Sequence, residues 1–150
     1  MRVNTKTGLA LLATSIAAAC GDSSSPSPAS SSPGFFISIS NLTFSPAALR
    51  VPPGGTVTVI NDDGEDHSVT SEASPNAFTP GSVAGVSFDT GPFIGTRSFT
   101  LPSSAPNGTV IPFFCTVHTG TMTTPNGAIT IDSSAQPTAP PGGGGGGGGY

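Results

Sequence analysis

The sequence predicts an all-β domain, an antiparallel sandwich or barrel, and three observations lead there. First, between residues 35 and 132 short runs rich in Val, Ile, Thr and Phe recur, parted by turn signals such as PPGG, NDDG, TGPF and PNG. Second, all 9 Phe of the chain fall in this stretch, which marks it as the part able to build a core. Third, no long window carries a 3.6-residue apolar stripe without a Pro or Gly interrupting it.

The elements follow in order. Residues 1–19 form a secretory signal, with Arg2 and Lys6 ahead of a short apolar stretch that is too short to span a bilayer. The run IAAAC ending at Cys20 resembles a bacterial lipoprotein signal, in which cleavage precedes the Cys and its thiol takes a lipid. Ala17 stands where Leu is usual, and the plainer alternative is an ordinary signal with an incidental Cys. Residues 20–34 then read as a lipidated Cys and a Ser/Pro tether, since GDSSSPSPASSSPG buries too little apolar surface to offset its ordering entropy. In the domain, 35–132, the expected strands are FFISIS, ALRV, TVTVI, SVTSE, VSFDT, RSFTL, TVIPFFC and GAITI, with residues 73–85 an irregular connection. Residues 133–150 close in a Gly run and read as a disordered tail.

Composition excludes several classes. Only 8% of residues are charged, against about a quarter in ordinary soluble domains, which argues against charged helical bundles and coiled coils. The 4 Lys+Arg against 8 Asp+Glu leave no clustered cations for a phosphate backbone, so no nucleic-acid partner is expected. Cleavage before Cys20 leaves Arg50 and Arg97 against all 8 acids, a net charge of −6. Two Cys are too few for a disulfide framework.

Within the domain the only His are His67 and His118, the only Cys is Cys115, and the only Met is Met122. Three of these share the segment Cys115-Thr-Val-His118-Thr-Gly-Thr-Met122, and His67 follows an acidic turn after TVTVI. Each alone is ordinary; a lone buried Cys is usually a small core residue. Together they offer one thiolate, two imidazoles and one thioether, and His₂Cys with a weak axial Met is the blue-copper electron-transfer set. Zinc fits less well, because a structural zinc site wants four strong ligands.

NLTFSPAALRVPPGGTVTVINDDGEDHSVTS, PFFCTVHTGTM and GAITI together resemble the cupredoxins of the plastocyanin/azurin type, over most of the domain. The resemblance implies an antiparallel Greek-key β-sandwich holding one type 1 copper ion, with His67, Cys115, His118 and Met122 as ligands. The His-x3-Met spacing departs from the family's better-known loops. The resemblance also implies that His118 is the electron port, near Gly120, Pro92 and Phe93. Asn61, Ser68 and Thr116 are candidates to orient the loop or hydrogen-bond the sulfur. Asp62, Asp63, Glu65 and Asp66 form either a solvated turn or a docking patch for a basic partner, such as a c-type cytochrome or a membrane electron-transfer complex. The expected protein is a monomeric, non-enzymatic, one-electron carrier, exported and lipid-anchored to a bacterial membrane, facing the periplasm or cell surface. The alternative is a periplasmic copper-binding, delivery or sequestration protein using the same site.

Overall fold

In a computed structural model, which describes residues 32–142, eight strands form two four-stranded sheets. They are β1 (Phe35–Ser40), β2 (Thr43–Ser45), β3 (Ala48–Val51), β4 (Thr56–Asn61), β5 (Thr70–Ser71), β6 (Gly95–Thr100), β7 (Val110–Phe114) and β8 (Asn126–Ile131). One sheet runs β2-β1-β4-β6 and the other β3-β8-β7-β5. The cause is the two-residue alternation of the sequence. In β4 the side chains of Val57, Val59 and Asn61 are buried, and in β8 those of Ile129 and Ile131 are, with Gly127 buried on the same face, while their neighbours face outward. Ile37, Ile39, Val57, Val59, Ile111, Phe113, Ile129 and Ile131, all fully buried, form the layer between the sheets. Phe44 and Phe88 pack edge-on to Phe113, with ring centroids 5.0 and 6.4 Å away, and Phe99 stacks on Phe88 at 4.5 Å.

The sandwich matches expectation, but its sheets are mixed rather than wholly antiparallel. β1 pairs with β4 in parallel, and β3 with β8. The chain leaves the first sheet after β2, forms β3 in the second, and returns as β4. No hairpin joins β1 to β4, so nothing forces them antiparallel. Two expected strands are also reduced. SVTSE contributes only Thr70–Ser71, and VSFDT is not a strand. Instead the two segments run side by side as an irregular ribbon, bridged at His67–Phe93 and Thr70–Asp89. The short β2 went unforeseen. It closes a two-residue turn in which Asn41 and Leu42 both hold positive φ (51° and 57°).

Three further features lie outside the sequence reading. Gly34 and Thr138 exchange two backbone hydrogen bonds of 2.8 Å, just beyond the boundaries at 35 and 132. The Asp132 carboxylate accepts from Ser134 and from Arg50 on β3, which together hold its pKa down at about 2. Glu72 is fully buried, and its carboxylate accepts the backbone N–H groups of Asn76 and Phe78 (3.2 and 2.7 Å) and the side-chain amide of Asn126. It ties the irregular connection to the first residue of β8. Among the described residues no helix is long and apolar enough to cross a membrane; Cys20, the signal and most of the tether lie outside those residues.

Candidate metal centre

Two segments converge at one end of the sandwich. The first follows β4, whose last residue, Asn61, cinches the acidic turn behind it. The Asn61 side-chain amide donates to the carbonyls of Glu65 (2.9 Å) and Phe93 (2.7 Å), and its oxygen accepts the Asp63 N–H (3.0 Å). This turn delivers His67, fully buried and paired through its backbone with Phe93 in both directions. The second segment leaves β7 at Phe114. Cys115 is buried immediately beyond it, and the loop turns back through Gly120, at φ 70°, where the Thr121 N–H meets the His118 carbonyl at 2.9 Å. Met122 is buried in the same apolar cluster as Cys115. The next residue, Thr123, donates its N–H to the carbonyl of Leu42 at 2.8 Å, which pins the far end of the loop to the β1–β2 turn.

The donor atoms of His67, Cys115 and His118 gather tightly. Cys115 Sγ lies 3.7 Å from His67 Nδ1 and 3.9 Å from His118 Nδ1, and the two Nδ1 atoms are 3.2 Å apart. A point equidistant from all three lies about 2.1 Å from each, close to the roughly 2.0–2.3 Å that such a metal makes to imidazole nitrogen and thiolate sulfur. The far nitrogens settle which atoms carry protons. His67 Nε2 faces a carboxylate oxygen of Asp63 at 3.0 Å, and His118 Nε2 faces one of Glu65 at 3.2 Å. A carboxylate accepts, so each Nε2 carries the proton and each Nδ1 offers a lone pair. Two lone pairs and a sulfur thus face one another at close range, an arrangement a cation between them stabilises. The donor set, two imidazoles and one thiolate with a thioether in the same cluster, fits a single type 1 copper ion.

The sequence placed Asp63 and Glu65 in a surface turn, but the structure turns both toward the imidazoles. Asp63 takes three donors, the N–H groups of Asn41 (2.7 Å) and Leu42 (3.0 Å) and His67 Nε2. Partial burial would raise its pKa, yet the Leu42 and Asn41 N–H groups and the His67 ring outweigh this and hold the carboxyl below its ordinary value. One side chain therefore fixes the His67 tautomer, steadies the left-handed Leu42, and through the Leu42 carbonyl braces the end of the Met122 loop. Asp63→Ala is expected to weaken metal binding about 10- to 100-fold, as loss of a carboxylate behind a ligating histidine typically does, measured by competition with a chelator. Glu65 is more exposed, at 58% of its side chain, so its contact with His118 contributes little to stability. Asp62 and Asp66 are exposed.

Ser68 meets the sulfur, and Thr116 meets Ser68. The Ser68 N–H points at Cys115 Sγ (3.4 Å), and the Ser68 hydroxyl accepts the Thr116 N–H (2.9 Å). Asn61 braces the acidic turn, not the sulfur. Of the residues expected beside the port, Phe93 is buried and Pro92 and Gly120 are exposed. His118 keeps 20% of its side chain exposed, and Val117 beside it and Ile94 beside Phe93 are exposed apolar residues.

No family profile matches the chain, and no curated protein does. Solved structures similar to it include a reduced Cu(I) form of an amicyanin mutant (19% identity, TM-score 0.47, covering 66% of this chain and 82% of that one). A purple cupredoxin from Nitrosopumilus maritimus is similar at 24% identity and TM-score 0.45, covering 65% and 99%. A pseudoazurin from Sinorhizobium is similar at 24% identity and TM-score 0.43, covering 65% and 72%.

Proposed function

We propose that this chain is a cupredoxin-type, single-copper electron carrier held at a bacterial membrane through Cys20. The observation that carries the reading is the preset triangle of donor atoms on His67, Cys115 and His118, with a centre one metal–ligand bond from each. Copper, when bound, supplies a Cu(II)/Cu(I) couple. The protein's part is to keep the donors still in both states. His67 is buried and tied to Asp63 and Phe93, Cys115 is buried and meets the Ser68 N–H, and the loop is pinned at Thr116 and Thr123. Fixed ligands limit the movement that accompanies each change of charge. Met122, buried in the same apolar cluster as Cys115, would supply the weaker thioether donor, and the partly exposed edge of His118 would be where electrons enter and leave. Adding Cu(II) to the purified protein should give an intense visible thiolate-to-copper band that saturates at one equivalent; no band defeats the proposal.

The exposed acids Asp62 and Asp66 support docking of a basic redox protein, because charge complementarity speeds encounter and is screened by salt. The transfer rate to a basic c-type cytochrome should fall as ionic strength rises, and a rate independent of salt would remove this part of the reading. The IAAAC segment supports lipidation at Cys20. Two or more acyl chains, each burying about 0.8 kcal/mol per CH₂, would anchor the protein stably. Cys20→Ala should then shift it from the membrane fraction to the soluble one.

A further inference from the structure

The structure assigns Asp89 as a positioning residue for the Cys115 thiolate, acting from the segment bridged to Thr70 through three hydroxyl groups. Its consequence for the copper couple rests on the reading above; its consequence for the protein alone does not. The Asp89 carboxylate accepts the Thr70 hydroxyl at 2.8 Å. Thr70 Oγ1 lies 3.1 Å from Ser68 Oγ, and Ser68 Oγ lies 2.9 Å from Thr116 Oγ1. Thr70 and Ser68 are both buried, which shields the contact between their hydroxyls from water, while Asp89 itself is exposed.

The direction of every proton in this chain is determined. A carboxylate can only accept, so the Thr70 hydrogen points to Asp89. The Thr70 oxygen is then an acceptor toward Ser68, which donates to it. Ser68 Oγ keeps two lone pairs, and one takes the Thr116 N–H at 2.9 Å. The other takes the Thr116 hydroxyl. Without an acceptor oxygen at residue 89 nothing would fix which way the hydroxyls run, and the Ser68 oxygen would lose the polarisation that makes it a strong acceptor. Ser68 is the residue whose backbone N–H meets Cys115 Sγ, and Thr116 is the residue after Cys115. The carboxylate therefore holds both neighbours of the sulfur from a residue that touches neither the sulfur nor the imidazoles. The same Asp89 oxygen accepts the Gly91 N–H at 2.9 Å, which fixes the carboxylate itself.

Three variants separate positioning from charge. Asp89→Ala removes the acceptor and the charge, Asp89→Asn removes the charge and keeps an acceptor oxygen, and Thr70→Val cuts the chain while leaving the Asp89–Gly91 turn intact. In the metal-free protein, amide hydrogen exchange at Thr116 should quicken about tenfold in Asp89→Ala and in Thr70→Val, the effect of losing one net hydrogen bond, and stay at the wild-type rate in Asp89→Asn. In the copper-loaded protein, the first two should lower the reduction potential and shift the visible band, because the Ser68 N–H steadies the sulfur's added electron density less well. Asp89→Asn should match wild type. Equal effects of Asp89→Ala and Asp89→Asn would show that charge alone matters and overturn the assignment, as would unchanged exchange in Asp89→Ala and Thr70→Val. A wild-type protein that develops no visible band would remove the copper reading, while the exchange rates would still decide the role of Asp89.

Discussion

Cys115→Ser is expected to abolish the intense visible band of the copper-loaded protein while leaving the fold in place. The band requires a thiolate sulfur bonded to copper, and Cys115 is the only Cys among the described residues. A serine hydroxyl does not ionise in the pH range where the thiolate forms beside a cation, so it cannot replace the sulfur as a strong ligand. The substitution suits the site otherwise. Serine is slightly smaller, and its oxygen can accept the Ser68 N–H that now meets Sγ at 3.4 Å. Thermal unfolding of the metal-free variant should stay close to wild type, within about the 4–8 °C that 1 kcal/mol produces in a domain of this size. A variant that kept the band would show that another group binds the copper.

The second large effect concerns stability and lies away from the metal. Gly127 opposes Phe113 across the β7–β8 pair, and the tip of the Phe113 ring fills the place a Cβ at residue 127 would take, closer than real Cβ contacts allow. Phe113 is fully buried between Phe44 and Phe88, so the ring has nowhere to retreat. Gly127→Ala is expected to destabilise the domain by about 1–3 kcal/mol, and Gly127→Val by more, through overpacking. Denaturant unfolding measures it. Phe113→Leu placed in the Gly127→Ala background should recover part of the loss, because the two residues share one space and their effects cannot add. Fully additive losses would contradict this explanation.

The His67, Cys115 and His118 cluster and most of the strands were legible in the sequence, for a physical reason. Strand alternation is local, so TVTVI and GAITI declare their buried faces on their own, and the scarcity of His, Cys and Met left few ways to assemble a site. What was illegible depended on contacts between distant segments. Nothing local distinguishes Asp63 and Glu65 from Asp62 and Asp66. Only the fold brings Asp63 to the N–H groups of Asn41 and Leu42 and to His67. The i, i+4 interval from Asp63 to His67 was the one available signal. Glu72 read as the polar end of a strand and is a buried anchor, because its three donors come from a loop and from β8. VSFDT had the composition of a strand, but its residues bridge the His67–Ser71 side irregularly. The parallel pairings were hidden because they depend on the route of the chain between sheets.

The central claim, a copper centre whose ligands are held for electron transfer, is tested most directly by voltammetry of the copper-loaded protein across a range of scan rates. The account predicts one reversible one-electron couple whose peak separation stays small as the scan quickens, since His67 is held by Asp63 and Phe93 and the Cys115–Met122 loop by Ser68 and Leu42. An irreversible wave, or copper lost on reduction, would contradict it.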